Sequence, residues 1–110
     1  MRAEKRLERL EFYVTMLLDM VEKERYPFYY LVMKKQLEKQ DIEGLLKVCS
    51  ELNKQYEAQK AEGLLLYDPL LTTFEKMLPQ KLDLQETVEA MEYQGLFKPL
   101  MREFLSLIKR

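Results

Sequence analysis

Cys49 is the one thiol in this 110-residue sequence, and no histidine stands anywhere to take a proton from it. A nucleophilic cysteine needs a neighbouring cation or base that lowers its pKa, and an opening to solvent. Cys49 instead falls among Leu45, Leu46 and Leu52 on a single apolar stripe, where a thiol packs as a small hydrophobe. Glu86, Glu89 and Glu92 recur every three residues, which puts neighbouring carboxylates on one helix face. General acid chemistry would require one of them to be desolvated so that it holds its proton near neutrality. Nothing in the adjoining sequence provides that, so a solvated acidic face is expected. Lys34, Lys35 and Lys39 read in the same way, as an exposed basic face rather than a phosphate site.

The residue types that are absent remove whole classes of activity. Without histidine there is no Ser-His-Asp or Cys-His catalysis and no histidine-bearing metal site, and one cysteine cannot build a four-thiolate zinc site. Gly44, Gly63 and Gly95 are isolated, whereas nucleotide-phosphate loops need clustered glycine for close backbone approach. The expectation is a protein that is not an enzyme, with no catalytic, cofactor-binding or metal-ligating residues. Lys and Arg number 18 against 19 Asp and Glu, for a net charge of −1, and the charges are dealt evenly along the chain. A nucleic-acid partner is therefore not expected, because phosphate neutralisation needs a basic stripe. No apolar run approaches the roughly 20 residues of a membrane span. A lone cysteine and a charged start, Met-Arg-Ala-Glu-Lys-Arg, make a reduced, cytoplasmic protein the expected setting.

Tyr26, Phe28, Tyr29 and Tyr30 crowd four rings around Pro27. Five consecutive positions cover more than a full helical turn, so these rings cannot all face one core. Either they fill a corner between helices, with at least one tyrosine exposed, or they form an aromatic interaction patch of the kind enriched at interface centres.

The elements that carry these residues are punctuated by proline and glycine. The first helix is expected over residues 2–24, ending before Pro27, which pushes the residue ahead of it out of the α region. Pro27 opens a second helix that runs to residue 39 or 40 and turns Phe28, Leu31 and Val32 inward. Asp41 reads as the N-cap of a long third helix with Ile42, Leu45, Leu46, Cys49, Leu52 and Tyr56 in one stripe, closed by Gly63 in a left-handed conformation. Residues 64–67 are apolar and too short for a helix, so they are expected to cross the core as a buried connector. Asp68 with Pro69 opens a fourth helix that stops at Pro79. Asp83 and Glu86 resemble a capping box for a fifth helix, which ends at Gly95. Phe97, Leu100, Met101, Phe104, Leu105 and Ile108 line the sixth, with Pro99 in its first turn. The expected fold is all-α, about six helices forming a single domain over residues 1–110. Its long N-terminal helix packs against a small helical body, and that packing runs between subunits.

The intersubunit expectation comes from the first helix. Leu7, Leu10, Val14, Leu17 and Val21 alternate spacings of three and four, a heptad seam with Leu7, Val14 and Val21 at a and Leu10 and Leu17 at d. Phe12, Tyr13, Met16, Leu18 and Met20 widen the apolar surface beyond what one neighbour covers. These five seam residues are the expected interface of a homo-oligomer, a dimer or a trimer. A chain of this mass exposes about 6,500 Å² when compact, against roughly 19,000 Å² unfolded.

Several segments together resemble a known family: Glu8 to Tyr13, Arg25 to Tyr29, Gln59 to Gly63, Tyr67 to Leu71, Lys81 to Asp83, Glu86-Thr87 and Gln94 to Leu96. In their order and spacing they look like the YhaI-like family, short uncharacterised proteins of spore-forming Gram-positive bacteria that form a domain family of unknown function. The resemblance spans nearly the whole chain. It implies an all-helical, oligomeric cytoplasmic protein and brings no catalytic or binding residues with it. The expected function is that of a non-enzymatic, self-associating interaction or regulatory module with an unidentified protein partner. The alternative is a small-molecule binder or an enzyme that uses Tyr, Lys and carboxylates in a pocket of its own.

Overall fold

The computed structural model describes residues 2–22 and 24–110. Among them lie six α-helices, α1 (Arg2–Met20), α2 (Pro27–Lys34), α3 (Lys39–Ala61), α4 (Asp68–Met77), α5 (Leu84–Gln94) and α6 (Lys98–Ile108), with no strand. Five of them make the body: α5 packs on α6 and on α2, and α3 packs on α4. Leu45, Cys49, Leu52 and Tyr56 bury the predicted stripe of α3, and Phe28, Leu31, Leu70, Phe74, Val88, Met91, Leu100, Met101 and Phe104 close the core around it. Two ring contacts tie elements together, Tyr56 to Tyr67 at 5.0 Å between centroids and Phe74 to Phe104 at 5.3 Å.

Several helix ends follow the residues expected to set them, and others depart, among them the end of α1, at Met20 rather than residue 24. Gly63 stands at φ +78° in a full Schellman closure of α3, its N–H donating to Lys60 O and that of Leu64 to Gln59 O. Gly95 closes α5 at φ +87°, and the Asp83 carboxylate caps α5 by accepting from the Glu86 N–H at 2.9 Å. Helix α3, however, starts two residues before Asp41. Glu38 is its N-cap, and the Asp41 carboxylate reaches back to accept from the Glu38 N–H at 3.0 Å, so Asp41 supplies the return half of the capping box. Asp68 likewise lies inside α4, whose N-cap is Tyr67. Residues 64–67 are not a buried connector. Leu64, Leu65 and Leu66 are exposed, Leu65 by 76%, and only Tyr67 turns into the core.

Helix α2 ends at Lys34, earlier than the periodicity suggests, because Gln36 adopts φ +55° and closes a Schellman turn in which Leu37 N–H donates to Val32 O. The start of α2 is capped from a distance. Tyr26, its N-cap, offers no side-chain acceptor, and the Gln94 side chain at the end of α5 accepts from the N–H groups of Phe28 at 2.9 Å and Tyr29 at 3.1 Å. One amide oxygen thus satisfies two of the orphan donors of a helix start and pins α2 to α5. Replacing Gln94 with Ala is expected to lower stability in urea unfolding by about 1–2 kcal/mol, whereas Gln94→Glu, which keeps the acceptor, retains most of it.

Helix α1 stands apart from the body. None of its residues is buried, and all but Leu18 are exposed. The packing expected of it is not made within its own chain. At about 1.5 Å per residue α1 is about 28 Å long, and it stretches the molecule to 61 × 25 × 20 Å. The radius of gyration is 16.8 Å, against about 13 Å for a compact chain of this length.

Candidate functional site

The seam of α1 lies open. Leu7, Leu10, Val14 and Leu17 are exposed by between 48% and 59%, and Val21, just past the helix end, is half-buried. Phe12, Tyr13, Met16 and Met20 are exposed beside them. Between Leu10 and Val21 the polar residues are Glu11, Thr15 and Asp19, spaced by four, so they form one narrow ridge. The other side chains of that stretch cover about 240° of the helix circumference, far wider than the 100° stripe by which a helix packs on one neighbour. The chain as a whole exposes 8,212 Å², about 1,700 Å² more than a compact chain of its mass.

The aromatic cluster divides. Phe28 is fully buried and belongs to the core, so it drops out of any surface patch. Tyr26 and Tyr29 are exposed and stacked, with centroids 6.3 Å apart and ring planes within 5°. Tyr30 is half-buried, about 100° further round α2, where it lines the cleft toward α5. Pro27 and the Gln94 cap hold this first turn rigid, so the Tyr26–Tyr29 pair is a fixed apolar step at the root of α1.

Cys49 is fully buried, and burial pushes its thiol from 9.0 up to about 12, because a thiolate would lose its hydration among Leu45, Leu52 and their neighbours. It stays protonated at neutral pH and has none of the character of a nucleophile.

Glu86 and Glu89 remain exposed, as expected of a solvated face, but they line a cleft that the sequence around them did not signal. The cleft holds about 690 Å³ between α2 and α5, with Pro27, Leu31 and Ala90 at its floor and Tyr30, Lys34, Asp83 and Tyr93 around it. Glu92, the third carboxylate of the series, faces α6 and pairs with Arg102 at 3.1 Å. The signal that could have found the cleft is Tyr93, an exposed ring one turn from Glu89 and not part of the inward stripe of α5. Among the described residues no group of three or more Cys, Asp or Glu side chains is placed to hold a metal ion, and no helix is long and apolar enough to cross a membrane. What the described residues present to their surroundings is thus a bare apolar helix, an apolar loop and a shallow acidic cleft. One family model spans residues 1–109 of this chain, and by that match the chain belongs to DUF1878, a family described as proteins of unknown function.

Proposed function

We propose that this protein is a non-enzymatic helical interaction module that self-associates through α1 as a dimer or trimer and presents its surface to another protein in the cytoplasm. The YhaI-like proteins of spore-forming Gram-positive bacteria are the relatives proposed for it. The observation that carries this reading is the exposed apolar face of α1. Leaving that much apolar surface in water is costly, and contiguous patches of this size mark interaction sites. A specific interface takes about 800 Å² from each partner, and the surplus area of this chain supplies it. Light scattering at micromolar concentration is expected to return a mass of at least two chains; the 13.3 kDa of a single chain would overturn the reading.

A second reading rests on the α2/α5 cleft, which is large enough for a small molecule and has Tyr, Lys and carboxylate groups around it. Glu24, Asp83, Glu86 and Glu89 bring four carboxylates to it and Lys34 one ammonium, so the ligand it suits is a cation. Saturable heat on titration with a diamine, abolished by Glu86→Gln with Glu89→Gln, would favour this second reading; no heat would remove it.

A further inference from the structure

The charges of α1 specify how two copies would meet. In its first half Arg2, Lys5, Arg6 and Arg9 fall at i, i+3, i+4 and i+7 on one side of the seam, and Glu4, Glu8 and Glu11 fall at i, i+4 and i+7 on the other. Leu7 and Leu10 run between a basic flank and an acidic one. The second half, nearer the body, is apolar over most of its circumference. Among the described residues no ion pair engages the side chain of Arg6 or of Glu11.

Resting on the self-association read above, we propose that α1 pairs in parallel and in register with α1 of a second copy, the Arg6 side chain of each meeting the Glu11 side chain of the other. In the heptad frame Arg6 is a g position and Glu11 the e position five residues on, the two sites that face each other between parallel strands. This arrangement sets basic flank against acidic flank and apolar half against apolar half. An antiparallel pair would lay the charged half of each helix along Tyr13, Leu18 and Met20 of the other, stripping water from charges that gain no partner. Val14 and Val21 at a with Leu10 and Leu17 at d also suit parallel strands. Leu7, Leu10, Val14 and Leu17 on the seam, with Tyr13 and Met20 at the flanking g positions, are exposed by 48% to 74%, or roughly 100 Å² apiece, and together supply about three quarters of the half-interface of a stable complex. Both bodies then lie at the same end, with the Tyr26–Tyr29 steps flanking the junction.

Ala3 is the next d position toward the N-terminus and tests the orientation. Cysteines at Ala3→Cys come within the Cα distance of about 4.4–6.8 Å that a disulfide requires only if the strands are parallel and in register; antiparallel strands hold them about 28 Å apart. The full-length variant is expected to show an oligomeric mass under reducing conditions and near-complete covalent dimer in a glutathione redox buffer. The parent chain, whose only thiol is the buried Cys49, forms none. An oligomeric mass without the covalent dimer would overturn the parallel arrangement and leave self-association standing; a single-chain mass under reducing conditions would overturn both. Charge exchange gives a second measurement. Arg6→Glu and Glu11→Arg are each expected to weaken association about tenfold, and the double variant to restore it. A double variant no tighter than either single would overturn the Arg6–Glu11 pairing.

Discussion

Replacing Leu10 and Leu17 together with glutamate is expected to leave a folded chain that no longer associates. Both side chains are more than half exposed within the chain, and Leu and Glu differ little in helix propensity, so the body should keep its stability to within about 0.5 kcal/mol. In a symmetric pair the same two substitutions remove four seam leucines. Burying an exposed leucine contributes about 1.5–3 kcal/mol, of which roughly half is still to be gained by side chains already half covered. The total is about 3–6 kcal/mol, a loss of affinity of about 10²- to 10⁴-fold. Light scattering should return the single-chain mass at concentrations where the parent is oligomeric. The melting temperature offers an independent measure, since association makes it depend on protein concentration. The parent should melt higher as it is concentrated and the variant should not. An unchanged oligomeric mass in the variant would remove the seam from the interface.

How far the sequence reveals this molecule depends on how local each determinant is. Pro27, Pro69 and Pro99 each sit in the first turn of a helix, and Gly63 and Gly95 each end one, because a fixed φ or a positive φ is a property of the residue itself. The stripe of α3 is equally legible, since its burial follows from helical period alone. Determinants made between distant segments are not. Gln94 caps α2 from 66 residues away, and no spacing rule connects the two. The cleft between α2 and α5 arises from their packing, so Glu86 and Glu89 carry no local mark of lining it. Residues 64–67 mislead for a related reason: three consecutive leucines signal burial by composition, but the turn at Gly63 sends their side chains outward and leaves only Tyr67 to enter the core. Leu64 to Leu66 thereby join α1 as apolar surface that the chain does not cover.

The hardest distinction from sequence is between an apolar helix that the chain buries and one that it does not, and unfolding measurements should separate them sharply. Phe12 in α1 and Phe104 in α6 are both rings on helices with apolar residues at i, i+3 and i+4, but Phe12 is 61% exposed and Phe104 is fully buried against Phe74. Phe104→Ala removes a side chain from a close-packed site that can collapse only in part, and is expected to cost about 3–5 kcal/mol. Loss of the tilted ring pair lies within that figure and contributes about 0.5–1.5 kcal/mol of it. A domain of this size holds about 5–15 kcal/mol in all, so the urea midpoint should fall by about a fifth or more. Phe74→Ala should cost a similar amount, and the double variant less than the two added, because the second truncation no longer breaks the ring contact. Phe12→Ala, made in the Leu10→Glu, Leu17→Glu background where the chain is expected to be monomeric, should change the unfolding free energy by no more than about 0.5 kcal/mol. A large loss from Phe12→Ala in that background would mean that α1 folds back onto its own body in solution, and the exposed face on which self-association rests would not exist.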